Sequence, residues 1–424
     1  MPPAGIIFNT YWFVVFALIV VPVYWLLRKP ALRLPFLAIA CAVFHYHFAG
    51  PAGVLPIIFI GTVTYFCGLS RNRTSCAGGI LLSVVALCFY KYTHFLTIDV
   101  LGLIHPSWGA AALAGAKRIL PGGVLALPGS GIKETFVPPL GMSFFAFEFV
   151  HYLYDVRQGH DPIRNPMRFL LFAIFFPSLV AGPIKRYEQY QPSLQRGAEA
   201  VDVADVALGF RRIAMGFFKK VVIADNLAFA IAFYAPPADG LTHFIGLTLP
   251  ARWLVVGMLG TRILMDFSGY SDMAIGLARL LGITLPENFN WPYAATSIQD
   301  FWRRWHMSLS FWVRDYVYIP LGGNRHGLVR KIFNGLAAFA LIGLWHGPAW
   351  NFVAWGVYHG VGLGISANYA AIPGLGPVLK KLMNMHRPFC WVLTQLFAWL
   401  GWLLFFYPIV PALKMAGLLF TSGS

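Results

Sequence analysis

Apolar runs recur along this chain, parted by short polar breaks. They are continuous rather than alternating, which selects helices over strands. Their lengths lie near the roughly 20 residues a helix needs to cross a bilayer. The first four runs are Tyr11–Leu27, Leu34–Gly50, Val54–Leu69 and Gly79–Leu96. The Gly-, Pro- and Ala-rich stretch Asp99–Thr135 reads as a loop, and Phe136–Tyr154 as the next span. Phe169–Ala181 holds only about thirteen apolar residues, with Arg164 and Arg168 before it and Gly182, Pro183, Lys185 and Arg186 after it. So short a run with positive charge on both sides predicts a re-entrant or interfacial segment rather than a full crossing. Val221–Tyr234 reads as a span, Pro236–Pro250 as a loop, and a long helical pattern continues to Ile283. A polar, aromatic stretch, Leu285–Lys331, precedes Ile332–Trp345, Trp350–Ala367 and a last run at Trp391–Val410. The pattern predicts an all-α, polytopic membrane protein with about ten or eleven spanning helices and additional re-entrant or interfacial ones. Residues 1–424 read as a single membrane-embedded domain, without repeats or low-complexity tracts.

Composition agrees. Hydrophobic residues make up 58% and charged residues 11%, against about a quarter charged in soluble domains, and the mean hydropathy is +0.65. The net charge of +16 could suggest a nucleic-acid partner, but the basic residues sit in short clusters between apolar runs, so no nucleic-acid binding is expected. Arg28, Lys29 and Arg33, then Arg71 and Arg73, then Arg211, Arg212, Lys219 and Lys220, and finally Lys380, Lys381 and Arg387 mark cytoplasmic loops by the positive-inside rule. The N-terminus is then external. Met1–Thr10 carries no Lys or Arg and no cleavage pattern follows the first run, so that run reads as a retained span rather than a removed leader. Cys41, Cys67, Cys76, Cys88 and Cys390 have neither metal nor redox spacing.

Two places concentrate chemistry. Asp300–Arg325 reads DFWRRWHMSLSFWVRDYVYIPLGGNR, with four Arg, two Asp, one His and three Trp in a chain that otherwise avoids charge. On one continuous helix Asp300 meets Arg304, and Trp302, His306 and Leu309 share a face. Two readings stand. The segment is an interfacial amphipathic helix whose arginines hold lipid phosphates, or it is the mouth through which an anionic, phosphate-bearing donor enters. In the second reading Arg303, Arg304, Arg314 and Arg325 are contacts, with Trp305 and Asn324 beside them. The other place is Leu341–Pro348, LIGLWHGP. The run Ile332–Trp345 is about 14 residues, short of a span, and Gly347-Pro348 breaks the helix. His346, preceded by Trp345, therefore falls at a helix end inside the hydrocarbon region, where an ionisable residue marks a functional site. Imidazole suits proton transfer near neutral pH; the competing reading is a packing His bonded to a carbonyl. Asp266-Phe267-Ser268-Gly269-Tyr270-Ser271-Asp272 is polar for an apolar helix and lines a cavity or forms an interhelical patch. His45, His47, His151 and His359 rank lower. No residue spacing suits a metal, a serine elbow, a P-loop or a dinucleotide fold.

These residues carry a resemblance. Asp300–Arg325, MDFSGYSDMAIG (Met265–Gly276) and LWHG (Leu344–Gly347) are similar to motifs of the membrane-bound O-acyltransferase family. The branch resembled is that of the alginate O-acetyltransferase membrane subunits, with the teichoic-acid D-alanyl transferases more distant. Further matches are PPLGMSFFAFEFVHYLYDV (Pro138–Val156), FFPSLVAGPIKRYEQY (Phe175–Tyr190) and GFFKKVVIADNLA (Gly216–Ala228). They place the family core at residues 138–360; beyond Gly360 the match fades, and the chain ends sooner than in the alginate branch. The resemblance implies helices arranged around a central funnel in the cytoplasmic membrane of a bacterium. It implies His346 as the catalytic residue and His306 as the second functional histidine. It further implies transfer of an acyl group, acetyl above all, from a cytoplasmic thioester to an exported glycan. The donor would be acetyl-CoA or an acyl carrier protein, bound as substrate with no tightly held cofactor. An external acyltransferase or acceptor protein of the same system, besides membrane lipids, would be the partner. The alternative is a proton-coupled or lipid-linked-sugar transporter, which also employs intramembrane His, Arg and Asp. The lack of repeated halves speaks against it.

Overall fold

The computed structural model of the chain describes residues 4–119, 124–125, 135–136, 138–371, 374, 376–378, 381 and 386–421. Lys380 and residues 120–123 and 126–134 of the expected Asp99–Thr135 loop lie outside the described residues. Apart from a two-residue pairing of Val124–Leu125 with Thr135–Phe136, every regular element among the described residues is helical. Among the described residues four helices are long and apolar enough to cross a membrane: Pro30–Ser70, Arg73–Tyr92, Gly327–His346 and Arg387–Phe406. Shorter apolar helices lie at Tyr11–Leu26, Phe95–Ile104 and Ile409–Leu418. Many large apolar side chains on these helices face outward, among them Leu18, Ile39, Phe59, Leu81 and Leu413. In water such a surface would drive association; against lipid tails it is the expected exterior of a multi-pass membrane protein.

The described residues form two compact units, Met1–Ala214 with Asp272–Pro286, and Met215–Ser271 with Glu287–Ser424. In the first, the expected pair of spans Leu34–Gly50 and Val54–Leu69 runs as one Pro30–Ser70 stretch, kinked at Gly50 (φ 63°), where Pro51 follows. Phe13, Phe16, Phe44 and Phe176 pack there as a ring cluster with centroids 5.3–6.4 Å apart. The run at Phe169 becomes helix Pro166–Ile174, nine residues or about 14 Å long. It then breaks into irregular, buried backbone through Ile184. The short apolar run of the sequence thus gives a correspondingly short helix. Lys185, at the end of the irregular stretch, is buried and ion-paired with buried Glu148. One expectation fails in this unit: part of Asp99–Thr135 is helix, Pro106–Ile119, because its Ala-rich core (Ala110–Ala112, Ala114, Ala116) is a strong helix former whatever the flanking glycines suggest.

In the second unit helix Gly327–His346 turns at Gly347–Ala349 into helix Trp350–Asn368. The two touch backbone to backbone. A Cβ on Gly343 would lie 2.1 Å from the Phe352 carbonyl oxygen, and one on Gly356 2.2 Å from that of Phe339. Small residues permit this approach, as is usual between membrane helices. Tyr293 ties further segments together, its hydroxyl donating to the Gly260 carbonyl (2.7 Å) and accepting from Trp402 Nε1 (3.0 Å).

Candidate active site

The site is built in the second unit around a break. Helix Ile298–Arg304 begins on Ser297, whose hydroxyl accepts from Asp300 N–H at 3.1 Å. A single helix through His306 and Leu309 was the expectation, and it is wrong. The chain leaves helical geometry at Trp305, and His306 takes the left-handed conformation (φ 42°, ψ 55°) before helix Met307–Val313 starts. A non-glycine residue is held there only when its surroundings demand it. The demand comes from the segment after Pro286. Asn290 N–H donates to the Arg304 carbonyl and Met307 N–H to the Asn288 carbonyl, both at 2.9 Å. The Asn288 side chain, fully buried, then meets His306 Nδ1 at 3.1 Å and accepts from the backbone N–H (3.3 Å) and hydroxyl (2.7 Å) of Ser308.

His306 is 1% exposed. Its ring stands edge-on to Phe267 (centroids 4.5 Å) and lies 5.9 Å from Trp345 and 6.5 Å from His346. Burial first, and the neighbouring His346 second, push the His306 imidazole well below its usual range. Its Nε2 is buried without a hydrogen-bond partner among the described residues. His346 is the last residue of its helix, half-buried, and walled edge-on by Trp345, Trp355 and Phe405 at 4.9–5.2 Å. Its position at a helix end is as expected, but the reason offered for its depth is not. The helix starts at Gly327, takes in Arg330 and Lys331, and is 20 residues long. At about 30 Å it is long enough to span a hydrocarbon core unaided. Helix length therefore does not place His346 at mid-depth.

The remaining candidates separate by exposure. Trp305 is buried against Phe289, Phe301 and Trp402 and packs the unit together. Arg303, Arg314, Asn324 and Arg325 are exposed. Arg304 is half-buried, bonded to Asp300 (2.8 Å) and to the Asn290 carbonyl (3.3 Å). Arg314 bonds Asp315 at 2.6 Å and lies over the Phe311 ring. The Asp266–Asp272 stretch makes polar interhelical contacts, the second of its two readings. Asp266 pairs with Lys220 (2.7 Å), Ser271 accepts from Asn288 Nδ2 (3.2 Å), and in the first unit Asp272 pairs with Arg212 (2.9 Å).

Sequence reasoning missed Asn288 and ranked His359 low. Asn288 lies in a polar loop with no motif to mark it, and only its pairing with the 304–308 backbone reveals it. His359 is fully buried among Phe301, Trp302, Trp355, Tyr358, Phe397 and Trp402, and neither ring nitrogen has a hydrogen-bond partner among the described residues.

Two imidazoles, those of His306 and His346, thus lie with ring centroids 6.5 Å apart among aromatic side chains. The sequence model of MBOAT, the membrane-bound O-acyltransferase family, matches residues 61–371, and the chain belongs to that family. It is similar to the probable alginate O-acetylase AlgI of Azotobacter vinelandii, 36% identical over 328 residues, covering 77% of this chain and 58% of that protein. It is also similar to the peptidoglycan O-acetyltransferase of Helicobacter pylori, 31% identical over 389 residues, covering 83% and 67%. The teichoic acid D-alanyltransferase of Bacillus subtilis is 34% identical over 234 residues, covering 52% and 57%. The chain thus spans about 58% of the length of the Azotobacter relative.

Proposed function

We propose that this protein is an O-acyltransferase of the cell envelope. It takes an acyl group, acetyl in the first instance, from a cytoplasmic thioester and passes it across the cytoplasmic membrane toward an exported polysaccharide or cell-wall glycan. The single observation that carries the reading is the pairing of His306 with His346, rings 6.5 Å apart. Two imidazoles at that spacing can share one oxygen through hydrogen bonds of about 2.8 Å each. The names of the relatives, which describe O-acetylation or D-alanylation of envelope polymers, supply the chemistry.

In this mechanism His346 removes, or relays, the proton of the acceptor hydroxyl as that oxygen attacks the thioester carbonyl. His306 orients the same hydroxyl or shares its proton. The carbon–sulfur bond breaks, the thiol leaves with the proton, and an ester remains. Exposed Arg303, Arg314 and Arg325 suit the phosphates of a coenzyme A or carrier-protein donor. The acceptor is a partner acyltransferase or acceptor protein outside the membrane, with the N-terminus of this chain on that same side and helices in the number first expected arranged about a funnel.

Mass spectrometry of surface glycans from cells with and without the protein tests the proposal. Loss of ester-linked acyl groups from glycan still exported in normal amount is expected. Glycan that is fully acylated but no longer exported would favour the transporter reading.

A further inference from the structure

Asn288 makes more contacts at the site than any motif in the sequence would suggest, and their pattern fixes a proton. A backbone N–H can only donate. The Asn288 side-chain atom that meets Ser308 N–H at 3.3 Å is therefore the carbonyl oxygen, Oδ1. The same oxygen accepts the Ser308 hydroxyl at 2.7 Å and lies 3.1 Å from His306 Nδ1. An acceptor facing Nδ1 requires that Nδ1 carry the hydrogen. At the other end of the amide Nδ2 donates to Ser271 Oγ at 3.2 Å, and a flipped amide would set its NH2 against the Ser308 N–H, which can only donate. All four residues are buried.

We propose that Asn288 is the positioning residue of this site: it holds His306 in the Nδ1–H tautomer and so leaves Nε2 as a bare lone pair. The main-chain bond from Met307 N–H to the Asn288 carbonyl at 2.9 Å adds to the same clamp by keeping His306 in its left-handed conformation. A buried acceptor nitrogen left without a partner costs about 1–3 kcal/mol, and such an atom in a native structure points to a group that arrives later. His306 Nε2 is such an atom among the described residues, and the substrate hydroxyl is the group of matching chemistry. For its effect on turnover the proposal rests on the acyl-transfer reading; the tautomer itself does not.

The full chain, purified in detergent and labelled with 15N-histidine, provides the test. The His306 signals are assigned by their loss in His306→Gln. The wild-type spectrum should show a protonated Nδ1 and an unprotonated Nε2 for that ring. Asn288→Leu removes the acceptor, so the ring should redistribute toward Nε2–H and kcat for acyl transfer should fall about 10²-fold, with the donor KM unchanged. Asn288→Asp keeps an acceptor for all three donors and should restore kcat to within about tenfold of wild type, which mere loss of packing would not do. The wild-type spectrum stands even if the Leu variant does not fold. An Nε2–H tautomer in wild type overturns the proposal, as does a folded Asn288→Leu with unaltered tautomer and kcat. If the tautomer follows Asn288 as described while His306→Gln turns over normally, the positioning role holds and the role of His306 in acyl transfer is refuted.

Discussion

Gly343 sits three residues before His346, at the closest approach of two helices, and replacing it by alanine perturbs the site without touching its chemistry. The added Cβ would stand 2.1 Å from the Phe352 carbonyl oxygen, 3.0 Å from that carbonyl's carbon and 3.1 Å from Gly356 Cα. All three are backbone atoms, so no side chain can rotate away. Relief requires the Gly327–His346 and Trp350–Asn368 helices to part by about 1 Å. Overpacking of this kind costs about 1–3 kcal/mol, and a misplacement of that size at a reacting group costs about 10²-fold in rate. Gly335 lies on the same helix with nothing within 4 Å of its would-be Cβ. There the same substitution should be neutral or stabilising by about 0.5–1 kcal/mol, since alanine is the better helix former. Thermal unfolding of the purified proteins in detergent, with acyl-transfer turnover measured on the same samples, separates the two. Gly343→Ala should unfold earlier and turn over about 10²-fold more slowly, and Gly335→Ala should do neither. A Gly343→Ala protein with wild-type stability and rate would refute the claim that this helix contact positions His346.

Lys185→Met should destabilise the protein by about 3–5 kcal/mol, because it strands the buried Glu148 carboxylate, whereas the double variant with Glu148→Gln should recover most of that loss; equal unfolding midpoints for the two would show the pair is not coupled. Arg303→Gln should raise the apparent donor KM more than it lowers kcat, since a ground-state contact acts mainly there, and an unchanged KM would leave this exposed arginine to the lipid headgroups. Cysteines placed beside Gly182 should resist an impermeant reagent applied from outside, as a segment that enters and leaves on the cytoplasmic side requires. Efficient labelling would make Phe169–Ala181 a full crossing.

Most of the helical pattern was legible because membrane helices announce themselves by continuous apolar length. The break at Gly50 was legible as the gap between the runs Leu34–Gly50 and Val54–Leu69, and the shortness of the Phe169 helix in the length of its apolar run. The Pro106–Ile119 helix was misread because glycine and proline nearby outweighed the alanines that decide it. At the site, His306 and His346 stood out by residue type and motif. What a linear reading could not supply was the break at Trp305. It is imposed by backbone pairing with Asn288 and Asn290, some fifteen residues earlier in the chain, and no local preference signals it. The start of the His346 helix was misplaced because Arg330 and Lys331 end an apolar run without ending a helix. His359 was ranked low because its aromatic surroundings come from three separate segments.

The central claim is that a histidine pair catalyses transfer of an acyl group from a thioester, and turnover by folded His346→Gln protein tests it most directly. Wild-type and variant chains, purified and shown to unfold at the same temperature, would be supplied with a radiolabelled acyl thioester and the acceptor, and ester formation followed with time. Glutamine matches histidine in polarity but cannot relay a proton near neutral pH, so the account predicts ester formation by the wild type and a loss of about 10²–10⁴-fold in the variant. Wild-type rates of ester formation by folded His346→Gln protein would contradict it.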